Sequence, residues 1–104
     1  MSYLPDAYRT FADRFPEVHR ANQSLAEACY DAGPLDDRTA RLVKLAIAVG
    51  AQAEGAVRSH ARRALAEGIS IEEVRHVALL ALTTQGFPTT IAGLSWIDEV
   101  APEA

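Results

Sequence analysis

Cysteine occurs once in this chain of 104 residues, at Cys29. A lone cysteine excludes an intrachain disulfide and any zinc site built from cysteines of one chain. Its acidic sequence neighbours, Glu27 and Asp31, have the wrong sign for lowering a thiol pKa, so Cys29 reads first as a small core hydrophobe. Histidine is also scarce: His19, His60 and His76 are the three. None stands four residues from another, so the helical two-histidine metal pair is absent, and no metal or other cofactor is expected. Aromatic residues make up 7% of the chain, and 10 basic residues face 14 acidic ones for a net charge of −4. No basic stripe with interleaved aromatics appears, so no nucleic-acid partner is expected. No apolar run approaches the roughly 20 residues that cross a bilayer. The opening MSYLPDAYR is acidic and aromatic where a secretory leader needs a basic start and an apolar block. The expectation is therefore a cytoplasmic protein with no membrane partner.

What the chain does have is helical periodicity. Hydrophobic residues are 49% of the sequence, enough for the packed core of one domain spanning 1–104. The expected class is all-α, with six helices joined by short turns. Leu4, Ala7, Tyr8, Phe11 and Phe15 make an aromatic stripe over residues 3–15, a pattern more often core than a cofactor box. Phe15-Pro16 breaks it, and Pro16 can open the second helix, which runs to about Ala32. Val18, Ala21, Leu25, Ala28, Cys29 and Ala32 form that helix's expected buried face, with His19 solvated beside Glu17 and Arg20. Asp36 is the expected N-cap of the third helix, whose LVKLAIAV run, Leu42 to Val49, is apolar all round and so expected to be buried on most sides. A low-bulk link over residues 50–55 follows. Gly68 closes the fourth helix as a left-handed residue, and Ser70 with Glu73 makes a capping box for the fifth. That helix is expected to reach about Thr84, with His76 at the rim, and Pro88 opens the sixth. The third and fifth helices are more apolar than a small monomer needs, which predicts a homo-oligomer.

The chain centres on residues 41–68. On a helix here, Ala53, Ala56, Val57, His60 and Ala64 share one face, Leu65 extends its edge, and Arg58, Arg62 and Arg63 lie elsewhere. Glu54 stands four residues before Arg58, the favourable order for a helical ion pair. His60 thus sits among small side chains. Two interpretations fit: a core histidine bonded to a backbone carbonyl, or an imidazole with space beside it for a ligand.

The run from Glu54-Gly-Ala-Val-Arg-Ser-His60 through Arg62-Arg-Ala-Leu-Ala66 and Gly68 to Ser70-Ile-Glu-Glu73 resembles the carboxymuconolactone decarboxylase and alkylhydroperoxidase D superfamily, over about residues 38–98. The resemblance implies an all-helical domain assembling as trimers or hexamers. In the peroxidase branch the matching helix reads Cys-x-x-Cys-x-x-x-His. Here Ala53 and Ala56 occupy the cysteine positions, and Arg41 stands where that branch has a relay glutamate. A dithiol peroxidase needs a thiolate to attack and a second thiol to resolve, so peroxidase activity, including a one-cysteine version through Cys29, is the disfavoured alternative. The lactone decarboxylase branch lacks the cysteine pair and carries charged residues before the histidine. Glu54 falls among them, whereas Gly55 and Ala56 do not match. The resemblance thus implies cysteine-independent acid/base chemistry on a small organic molecule, with His60 and Glu54 as catalytic candidates. Arg58 or Arg62 would hold a carboxylate and Gln52 would assist. Glu54 lies about 120° round an ideal helix from His60, so it reaches the same pocket only through the helix start or a neighbouring subunit. The other alternative is a non-catalytic oligomeric scaffold or small-ligand binder of the same fold.

Overall fold

The structure is a computed structural model that describes residues 6–102. Those residues form six α-helices: α1 (Asp6–Arg14), α2 (Pro16–Asp31), α3 (Asp37–Gly50), α4 (Glu54–Ala66), α5 (Ile71–Leu80) and α6 (Phe87–Val100). The expected all-α class with six helices is what is observed, with no strand among the described residues. The fifth helix is shorter than expected, because Ala81–Thr83 tightens into a 3-10 turn. The chain divides into two compact units, Met1–Leu35 and Asp36–Ala104.

The first unit is the pair α1 and α2. Pro16 lies in the first turn of α2 as expected. The core assignment for this unit is corrected. Tyr8, Phe11 and Phe15 are exposed, as are Val18, Leu25 and Cys29, and neither helix has a buried residue. The apolar periodicity makes the helices, but two short helices cannot bury two full stripes. Instead the rings meet one another. Tyr8 packs edge-on to His19 with centroids 5.3 Å apart, and Phe11 tilts against Phe15 at 5.5 Å. His19 is therefore partly covered by an aromatic ring rather than simply solvated. Leu4 lies outside the described residues.

The second unit holds the core. Leu45, Val49, Val57, Val74 and Ile97 are its largest fully buried side chains, surrounded by Ala48, Ala61, Ala64, Ala78 and Ile69. These small residues let the helices approach closely. A close approach occurs at Gly93 on α6, where a Cβ would stand 3.0 Å from Val49 Cγ1 on α3. The expectation that α3 is buried on most sides needs correcting within one chain. Leu45, Ala48 and Val49 are covered, but Val43 and Ile47 face solvent. On α5, Val74 and Ala78 are covered while Leu79 and Leu80 are open.

Local chemistry fixes the helix ends. Asp36 Oδ1 accepts from the Thr39 amide at 2.7 Å, capping α3. Ser70 and Glu73 form the expected reciprocal box at the start of α5. Between them α4 ends in a Schellman motif. The Gly68 amide donates to the Leu65 carbonyl at 3.1 Å, and the Ile69 amide to the Ala64 carbonyl at 3.0 Å. Gly68 takes φ +91°, which a residue with a side chain adopts only at a cost. The buried Ile69 anchors the turn. The consequence is that Glu67, the last residue before the turn, is held at a defined place over the end of α4.

Candidate functional site

Three residues, from α3, α4 and the C-cap of α4, meet on one side of the second unit. Arg41 lies one turn into α3 on the same face as Leu45, Ala48 and Val49, and only 7% of it is exposed. His60 lies in the middle of α4. Glu67 follows seven residues later, about two helical turns on, and so returns to the same face. The Arg41 side chain spans that interval. Its Nε donates to Glu67 Oε1 at 3.0 Å and one terminal nitrogen to Oε2 at 3.0 Å. Its other terminal nitrogen lies 2.8 Å from His60 Nδ1.

The fork-to-fork pairing with Glu67 orients the guanidinium. That guanidinium stays charged and offers only donors, so at the His60 contact Nδ1 accepts. The pKa of His60 is lowered to about 4, first by burial and then by the positive charges of Arg41, Arg63 and Lys44, with Glu67 opposing. The imidazole is therefore neutral throughout the physiological range. Of the two interpretations of His60, the histidine bonded to a backbone carbonyl is replaced by a histidine bonded to a buried, carboxylate-paired arginine.

The remaining candidates lie elsewhere. Glu54 and Arg58 form the expected ion pair at 3.2 Å, and Arg58 Nε donates to Glu99 Oε2 on α6 at 2.6 Å. The carboxylate-holding group proposed from sequence is thus flanked by two carboxylates of its own chain. Gln52 sits in the turn between α3 and α4 with φ +52°, and its side-chain amide donates to Thr89 Oγ1 at 3.1 Å. The hydrogen bonds of Glu54, Arg58 and Gln52 therefore run to one another and to α6, not to His60. His76 is exposed, as expected for a rim position. No group of three or more histidine, cysteine, aspartate or glutamate side chains is placed to hold a metal among the described residues.

Arg41 and Glu67 are the site residues that the sequence alone leaves unassigned. One signal was available: an arginine in register with Leu45 and Ala48 on an apolar helix face demands a partner, because arginine is almost never fully buried unpaired.

The lowered His60 pKa sets a pH dependence. The unfolded chain takes up a proton near pH 6.5 and the folded chain only near pH 4, so stability falls as pH drops through that interval and levels off below it. After discounting for solvent screening at a partly buried ring, the loss is about 1–2 kcal/mol. Urea denaturation of wild type at pH 7 and pH 4.5 measures it, and His60→Asn should remove most of the difference. The carboxylates of Asp36 and Glu73, both held below their usual pKa by hydrogen bonds, act in the same direction, from the acid end of the His60 interval downward.

Comparison with known proteins gives consistent results. Residues 16–99 match the model of the carboxymuconolactone decarboxylase family, a longer span than the motif resemblance covered. The chain is 30% identical over 86 residues to the uncharacterized protein MJ1511 of Methanocaldococcus jannaschii, covering 83% of this chain and 80% of that one. Its fold is similar to the crystal structure of apo-lpg0406, a carboxymuconolactone decarboxylase family protein from Legionella pneumophila. The TM-score is 0.74 at 25% identity, over 92% of this chain and 88% of that one.

Proposed function

This chain belongs to the carboxymuconolactone decarboxylase family, and from that premise we propose that it acts on a small organic molecule at His60 without thiol chemistry. The observation that carries this is the clamp: a buried arginine, itself locked by a carboxylate, is spent on orienting one partly buried imidazole. A ring that only filled space would gain little from a desolvated cation beside it. The thiol-free character rests on Ala53 and Ala56 at the family's cysteine positions. Glu54 and Arg58 enter this reading only through a second subunit, because within one chain they pair with each other and with Glu99.

The test is turnover of a panel of lactones and oxo acids, carboxymuconolactone among them, by wild type and His60→Asn. Asparagine keeps an acceptor near the Nδ1 position and removes the rest of the ring. Loss of turnover with helicity and assembly intact supports the reading. Unchanged turnover rejects it. No turnover by either protein, with His60→Asn destabilised, favours a non-catalytic scaffold, for which the engagement of Arg41 by Glu67 is the supporting observation.

The proposal includes self-association through the second unit. Val43 and Ile47 on α3, Leu79 and Leu80 on α5, Leu82 in the 3-10 turn and Phe87 and Ile91 on α6 are all exposed, more large apolar surface than a small monomer usually leaves in water. Sedimentation velocity at micromolar concentration should give an oligomer, and Ile47→Glu should shift it toward monomer. A monomeric wild type would refute the association.

A further inference from the structure

We propose that His60 is built as a hydrogen-bond donor: the Glu67–Arg41 clamp keeps the ring proton on Nε2, and the site takes a ligand oxygen bearing full or developing negative charge, a carboxylate or an enolate. This rests on the reading that His60 meets the ligand. It departs from the expectation of acid/base chemistry at this residue.

The argument is one of elimination. Both carboxylate-facing nitrogens of Arg41 are engaged by Glu67, which fixes the third nitrogen opposite His60 Nδ1 at 2.8 Å. A proton on Nδ1 would set two N–H donors against each other at that distance. An imidazolium would do the same and add a second positive charge. Only the neutral ring with its proton on Nε2 satisfies the contact. Nε2 lies across the ring from Arg41, makes no hydrogen bond to another described residue, and belongs to a side chain that is only partly buried.

Two consequences follow for chemistry. Nε2 has no lone pair to offer, so His60 cannot open a reaction as a base while the clamp holds. It can donate to an oxygen on which charge develops, the role a neutral histidine plays in polarising a carbonyl. The local field agrees in sign. Among the described residues, Arg41 and Lys44 on α3 and Arg63 on α4 are the cations acting on the ring, against the Glu67 carboxylate. Arg41 is thus a positioning residue and His60 the group that touches ligand.

Long-range proton–nitrogen correlation on nitrogen-15-labelled protein at pH 7 reads the tautomer directly. The expected spectrum has Nε2 protonated and Nδ1 bare, with the other tautomer populated roughly tenfold less or below, as a charge-assisted hydrogen bond implies. Arg41→Met removes the donor and should raise the Nδ1–H population, a change that a merely structural arginine would not produce. A wild-type ring protonated on Nδ1, or on both nitrogens, overturns the inference whether or not the variant folds. Acetate, used as the probe, should move the Nε2–H resonance saturably and methylammonium should not. No response to acetate overturns the ligand class. The tautomer is read without substrate, so its failure leaves the role of His60 in turnover standing. Unchanged turnover in His60→Asn removes that role without touching the tautomer.

Discussion

Glu67→Ala lowers the unfolding free energy by about 2–3 kcal/mol, measured by urea denaturation at pH 7. Removing one member of a buried ion pair costs about 3–5 kcal/mol when both are fully desolvated. Here Arg41 has 8% of its side chain exposed but Glu67 has 46%, so water softens the loss toward the lower end. Glu67→Gln keeps acceptor and shape and should cost less than Glu67→Ala. If the alanine variant were as stable as wild type, the pair would be ornamental and the clamp would have no energetic content. The same substitution should also lower the His60 pKa further, because the Glu67 carboxylate supports the imidazolium.

Leu45→Ala costs about 3 kcal/mol, with a fall in melting temperature of roughly 10–20 °C. Leu45 is fully buried on α3, one turn after Arg41, among the close-packed small residues of the second unit. Deleting its branch leaves a cavity that a core of alanines and valines collapses into poorly. Leu25→Ala on α2 is the contrast. That side chain is 62% exposed, so its truncation should change stability by no more than about 0.5 kcal/mol. Equal costs for the two would mean that α2 is covered in solution, for example by another subunit.

The contrast between these two leucines shows what the sequence could and could not convey. Both sit on apolar stripes of good helical period, and that period correctly gave helices in both places. Periodicity reports that a face is apolar and says nothing about what lies opposite it. The stripes of α1 and α2, Cys29 included, therefore predict core, whereas neither helix has a buried residue. The helix ends were legible because their chemistry is local: Asp36 reaches three residues along the chain, Ser70 and Glu73 reach each other, and Gly68 acts through its own φ. His60 was legible for a related reason, as one polar group on an otherwise apolar helical face. Arg41 and Glu67 were not, because their pairing joins residues 26 apart and no local pattern encodes it. In the sequence, Arg41 stands out only as a departure from the relay glutamate that the resemblance implies for its position. The packing of α3 against α4 turns that departure into a contact. A carboxylate relay member is absent, and a cation stands on the imidazole instead.

The central claim is that burial, together with a guanidinium locked by Glu67, keeps His60 uncharged. The most direct test is a pH titration of the His60 ring protons by NMR between pH 3.5 and pH 8, with His19 and His76 assigned by substitution. The account predicts a midpoint near 4 and no ionisation of His60 above pH 5.5. A midpoint at or above 6.5, the ordinary value for a free histidine, would contradict it.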